Sequence, residues 1–158
     1  MKPDRIVVGC DDDQAVLYMR ALYAPFQRNH DNLAGKHFAM WGLAFKANTD
    51  DLREATSREV IKDLLAAGAT VTAYDPVAMP EAKYCFVNKH GLTYADSQTA
   101  ALENADALII VTEWKEFRSP DFDHLKAKLK SPVIFDGRNM YDPKLVRSLG
   151  FEYLAIGR

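Results

Sequence analysis

Residues 36–76 read KHFAMWGLAFKANTDDLREATSREVIKDLLAAGATVTAYDP. Lys36–Trp41 is short and apolar enough to be a strand, and the stretch from Gly42 to Ala55 is a long polar loop. Thr56 with Glu59 three residues on has the form of a capping box. The helix it opens carries Val60, Ile61, Leu64 and Leu65 along one side and ends at Gly68. Thr70–Tyr74 is a second strand, halted by Asp75-Pro76. Strand, loop, half-buried helix and strand in this order form the unit from which parallel sheets are wound.

The same alternation continues on both sides. Downstream, Met79–Lys89 reads as a helix up to Gly91, Ser97–Asn104 as a short helix, and Ala107–Thr112 as a strand covered on both faces. Ser119-Pro120 has the form of an N-cap followed by proline at the first helical position, with Phe122, Leu125 and Leu129 as the inner stripe. Pro132–Asp136 is a strand, Pro143–Leu149 a helix and Glu152–Ile156 a last strand. Upstream, Arg5–Val8 reads as a strand, and Asp13–Tyr23 as a helix that stops at Pro25. The expected fold is α/β: a mostly parallel, Rossmann-like sheet with helices on both faces, in three α/β/α layers. Residues 1–31 form a first part too small to fold alone, and residues 32–158 a near-complete second.

Composition sets the bounds. At roughly 150 residues per domain, 158 residues argue for one core and a small appendage. A hydrophobic content of 48%, with 27% charged residues, excludes disorder. Twenty Lys and Arg against 22 Asp and Glu give a net charge of −2, so no bulk basic field recruits nucleic acid or a membrane surface. No apolar run approaches the roughly 18 residues of a membrane helix, and the N-terminus lacks the layout of a secretory signal. Two cysteines, Cys10 and Cys85, make no disulfide framework. The expected setting is reducing and cytoplasmic.

In open α/β sheets ligands bind beyond the carboxyl ends of the strands. Lys46 and Arg53 follow the first strand of the long series, Asp75 the next, Glu113 and Trp114 the apolar one, and Arg138 follows Asp136-Gly137. Three cations at one edge beside an aromatic suit an anionic, phosphorylated ligand. The bland alternative is that each is a solvated charge paired with a neighbour such as Asp50, Asp51 or Asp142. The Gly42 loop has no G-x-G-x-x-G, so this half is not expected to be the main nicotinamide site, and Asp75-Pro76 reads as a strand stop. Asp11–Asp13 could be a metal-binding acidic cluster but, preceding a helix, reads rather as helix capping. His30, His37, His90 and His124 are dispersed without ligand spacing, and both cysteines read as buried thiols.

The run Gly42-Leu43-Ala44-Phe45-Lys46-Ala47-Asn48-Thr49-Asp50-Asp51-Leu52-Arg53-Glu54-Ala55 is similar to the signature of the UDP-glucose 6-dehydrogenase family, at the start of its C-terminal UDP-binding domain. Ala73-Tyr74-Asp75-Pro76, Thr112-Glu113-Trp114 and Phe135-Asp136-Gly137-Arg138-Asn139 extend the likeness over residues 33–158. Ala47 and Thr56 depart from it, standing where proline and proline or serine are usual. The resemblance implies that Phe45, Lys46 and Arg138 contact the nucleotide sugar, and that Arg53 reaches NAD held mainly by another domain. Residues 1–28 resemble a different region, the end of the family's NAD domain, so a large internal piece is absent.

The family reaction, a two-step NAD-dependent oxidation of UDP-glucose to UDP-glucuronate, runs through a cysteine in a Gly-Gly-x-Cys-Phe-Pro-Lys-Asp segment. That segment does not occur here. The resemblance therefore implies a UDP- or UDP-sugar-binding chain, a homo-oligomer associating through apolar surface that loss of the central helix exposes, and no turnover by this chain alone. Two other readings stand beside it: a structural remnant that dimerises without nucleotide, and a phosphoacceptor domain using Asp75.

Overall fold

The computed structural model describes residues 33–156. The Arg5–Val8 strand, the Asp13–Tyr23 helix, Cys10, Asp11–Asp13 and His30 lie outside the described residues. In chain order the elements are β1 (His37–Trp41), α1 (Thr56–Ala66), β2 (Thr70–Tyr74), α2 (Met79–Cys85), β3 (Leu92–Tyr94), α3 (Gln98–Ala101) and β4 (Ala107–Ile110). A single turn of 3-10 helix (Lys115–Arg118), α4 (Phe122–Lys128), β5 (Val133–Asp136), α5 (Pro143–Ser148) and β6 (Glu152–Ala155) complete them.

The strands form one six-stranded sheet in the order β3-β2-β1-β4-β5-β6, and every pairing is parallel. The sheet is thus wholly parallel among the described residues. Right-handed crossovers leading outward from β1 in opposite directions put α1 and α2 on one face and α3, α4 and α5 on the other. Burial follows this layering. Every residue of β4 and β5 is buried, as is β1 from Phe38 to Trp41, because both faces of the central strands are covered. Trp41 stacks on Phe117 of the 3-10 turn at 5.1 Å, and its indole donates to the Gln98 carbonyl, so the loops after β3 and β4 close over the end of β1.

Several local expectations are corrected. No capping box forms at α1: Thr56 is already helical, Ala55 is the cap residue and gives no side-chain bond, and Glu59 pairs with Lys62 at 3.3 Å. The cap of α4 is Asp121, which accepts from the His124 N–H, so Ser119-Pro120 lies before the helix. The helix expected over Met79–Lys89 ends at Cys85, and Asn88 then turns through φ 58° toward the edge strand β3. That three-residue strand and the 3-10 turn are too short for periodicity to reveal. The Ser97–Asn104 helix shrinks to Gln98–Ala101, with the Ser97 hydroxyl accepting from Ala100 N–H.

Candidate functional site

Parallel pairing brings all strand carboxyl ends to one edge. Trp41 lies beside Tyr74 on one side and Ile110 on the other, and Ile110 beside Asp136. The residues that follow (Gly42, Asp75, Val111 and Gly137) therefore start their loops side by side.

Asp75 organises this edge. It is 1% exposed, and its carboxylate accepts five N–H donors. One oxygen takes Val77 N–H at 2.9 Å and Ala78 N–H at 2.8 Å. The other takes Leu43 N–H at 2.7 Å, Ala44 N–H at 3.1 Å and the Trp114 indole at 3.0 Å. One side chain thus ties together the loops after β1, β2 and β4. Reading Asp75-Pro76 as a mere strand stop missed this. Its signal was the coupling of Asp75, Thr112 and Trp114 to the Gly42 loop, which no local pattern carries.

Two more bonds complete the anchorage. The Thr112 hydroxyl donates to the Ala44 carbonyl at 2.6 Å and the Ser57 hydroxyl to the Leu43 carbonyl at 2.5 Å. Leu43, Ala44, Leu52 and Ala55 are buried, and Phe45 N–H bonds back to the Asp51 carbonyl at 2.8 Å. Between these anchors the backbone turns outward at Phe45 and Lys46, both exposed; the Phe45 ring is 48% exposed. Asn48 and Glu54 occupy the left-handed region at φ 64° and 57°, which for Glu54 costs about 1 kcal/mol or more held by the surrounding bonds.

The other cations are partnered. Arg53 gives Asp51 a two-pronged bond, Nε at 3.0 Å and Nη2 at 2.8 Å, with its backbone N–H at 2.9 Å. This is the pairing the bland reading named. Its side chain is nevertheless 88% exposed and lies with Phe45, Asp51 and Glu54 around a shallow cavity of about 260 Å³. Hydrogen bonding from the Arg53 side chain, and then from its backbone, holds the Asp51 carboxyl down at about 2. A depressed carboxylate contributes fully above its ordinary 3.8 and loses that contribution as pH falls through about 2. In a carbon-13 NMR titration Asp51 is expected to change near pH 2, and Arg53→Ala to return its midpoint part of the way to 3.8, the backbone bond remaining. A midpoint near 3.8 in the unaltered chain would show that the pair does not persist in solution.

Arg138 pairs with Glu113, not with Asp142, through Nε at 2.5 Å. Asp142 instead caps α5. The Arg138 backbone is fixed by Asp136, which accepts its N–H at 2.9 Å and the Met140 N–H at 2.7 Å.

Other expectations at this edge change. Trp114 is buried with its indole committed to Asp75, so Phe45 is the aromatic that faces outward. Cys85 is half-buried rather than buried, its thiol donating to Glu81 at 3.4 Å, and burial pushes its pKa up. His37 is structural, bonded to Thr70 and Thr72, and no group of three metal-ligating side chains occurs among the described residues. A phosphoacceptor must be exposed with free oxygens, and Asp75 is neither.

The fit to a dinucleotide is equally poor. The crevice between β1 and β4, where the strand order reverses, is closed by Gly42 packed on Thr112: a Cβ on Gly42 would meet Thr112 Cβ at 2.5 Å. Asp75, which follows β2 where a ribose-binding carboxylate sits in dinucleotide folds, is buried and bonded inward. No helix among the described residues is long and apolar enough to cross a membrane.

Residues 39–143 match the UDP-glucose/GDP-mannose dehydrogenase family, UDP binding domain. The UDP-glucose 6-dehydrogenase of Pseudomonas aeruginosa is 49% identical over 78% of this chain and 28% of that protein. That of Rhizobium meliloti is 44% identical over 80% and 28%. The structure of a UDP-glucose dehydrogenase from Pyrobaculum islandicum superposes with a TM-score of 0.69 at 32% identity, over 92% of this chain and 29% of that one. The chain thus spans under a third of the length of these relatives.

Proposed function

Because the chain belongs to the UDP-glucose/GDP-mannose dehydrogenase family through its UDP-binding domain, we propose that it binds the UDP portion of a nucleotide sugar at the carboxyl edge of its sheet. Phe45 lies against the nucleotide, and Lys46 and Arg138 meet the diphosphate. One observation carries this reading. The Asp75 network buries Leu43 and Ala44 and turns Phe45 and Lys46 outward on the edge that bears Arg138.

Arg53 is proposed to touch NAD held by another domain, since the described residues, with Gly42 closed on Thr112 and Asp75 turned inward, make no dinucleotide cradle of their own. Oxidation of UDP-glucose is the activity named for the longer relatives. The chain has no Gly-Gly-x-Cys-Phe-Pro-Lys-Asp segment, so by itself it is proposed to bind without turnover. Residues 1–31 are read as the end of the NAD domain, the setting as cytoplasmic. Association into a homo-oligomer is part of the same reading.

Calorimetric titration with UDP, UDP-glucose and NAD tests the reading. Saturable UDP binding is expected, with none detectable for NAD. A hydrogen bond to a charged group contributes about 1.5–3 kcal/mol, so Lys46→Ala and Arg138→Ala should each weaken UDP binding about tenfold or more. Both variants should unfold at temperatures close to the parent, their side chains being partly exposed surface groups. Binding that survives both substitutions unchanged would place the nucleotide elsewhere.

A further inference from the structure

We infer that Glu113 is a positioning residue for Arg138, fixing its guanidinium so that the two terminal amino groups meet the diphosphate. The inference rests on the nucleotide-binding reading above. Glu113 takes Nε of Arg138 at 2.5 Å. Among the described residues neither Nη1 nor Nη2 has a hydrogen-bond partner, so the face of the fork that suits two phosphate oxygens stays open. Arg53 differs: Asp51 takes Nε and Nη2 together, leaving one amino group. Exposure agrees, the Arg138 side chain being 36% exposed against 88% for Arg53.

Glu113 is itself held from both sides. Its neighbours Thr112 and Trp114 are buried and bonded to the Ala44 carbonyl and the Asp75 carboxylate, the groups that set the Phe45-Lys46 turn. Arg138 is therefore fixed at two points, its backbone by Asp136 and its guanidinium by Glu113, and the second traces back to the network that presents Lys46. A flexible arginine would lose side-chain freedom on meeting the ligand; here that loss precedes binding. Charge argues the other way, since a carboxylate beside the site repels an anion. Geometry and charge are separable, because glutamine keeps the acceptor and removes the charge.

The test is UDP calorimetry on Glu113→Ala, Glu113→Gln, Arg138→Ala and the Glu113→Ala/Arg138→Ala pair, with nitrogen-15 NMR of the Arg138 Nε–H. Glu113→Ala is expected to weaken binding about tenfold and to let the Nε–H signal exchange away. Glu113→Gln should keep that signal and bind within about threefold of the parent or tighter. Glu113→Ala should add nothing once Arg138 is gone. Tighter binding by both Glu113 variants would overturn the inference, showing a carboxylate that competes with the ligand. An unchanged affinity in Glu113→Ala, with Arg138→Ala still weakened, overturns the inference and leaves the nucleotide reading intact. Failure of the folded parent chain to bind UDP overturns both.

Discussion

Replacing Asp75 with alanine is expected to lower the unfolding free energy by about 4 kcal/mol, a large share of the roughly 5–15 kcal/mol of a small domain. The substitution leaves five donors facing an apolar hole: the N–H groups of Leu43, Ala44, Val77 and Ala78 and the Trp114 indole. Each buried unsatisfied donor costs about 1–3 kcal/mol, and the sum is smaller than the parts because loops relax and water enters. Asp75→Asn separates the two oxygens. Three donors converge on one of them and two on the other, so the amide oxygen should turn to the three and its NH2 face Val77 and Ala78. A loss of about 2 kcal/mol is expected, with the Leu43-Ala44 anchorage kept. Urea unfolding measures both losses, and UDP calorimetry reads the loop: the asparagine variant should bind within a few-fold of the parent, the alanine variant poorly. An alanine variant as stable as the parent would mean that these donors find other partners, and the account of the edge would fail.

The same residue marks how far the sequence could be read. The elements that set the topology were legible because each strand and helix leaves its own pattern: the apolar run Ala107–Ile110 is a central strand, and Val60, Ile61 and Leu64 are the buried stripe of α1. The cations were legible too, since their place after strands needs only strand ends. What sequence could not give was which charge faces which. Arg138 meets Glu113 across 25 residues, whereas Arg53 meets Asp51 two residues away, a pair that spacing did suggest. Asp75, Thr112 and Trp114 stood inside the stretches that carry the family resemblance, yet only the fold brings them to Leu43 and Ala44. Short elements were lost for a different reason: three residues in β3 and four in the 3-10 turn give little more than one period each, too little for a pattern to repeat.

Gly42→Ala is expected to be as damaging, by about 3 kcal/mol or more, through two additive causes. The residue sits at φ +91°, where a side chain is strained, and the new Cβ would lie 2.5 Å from Thr112 Cβ and 2.7 Å from both Thr112 N and Oγ1. None of these is the free end of a flexible chain, so relief requires the β1 and β4 loops to part, which stretches the Thr112–Ala44 bond. Thr112→Ala alone removes that bond and should cost about 1 kcal/mol. Combined with Gly42→Ala it should restore nothing, because Thr112 Cβ and N, two of the three close atoms, remain. A double variant more stable than Gly42→Ala, by urea unfolding, would show that the hydroxyl alone was the obstacle. The expected failure of rescue also bears on the ligand. In dinucleotide folds a glycine after the first strand lets the backbone approach a pyrophosphate. The glycine of this chain admits Thr112 instead, so the space that would receive a dinucleotide is filled by a contact within the chain.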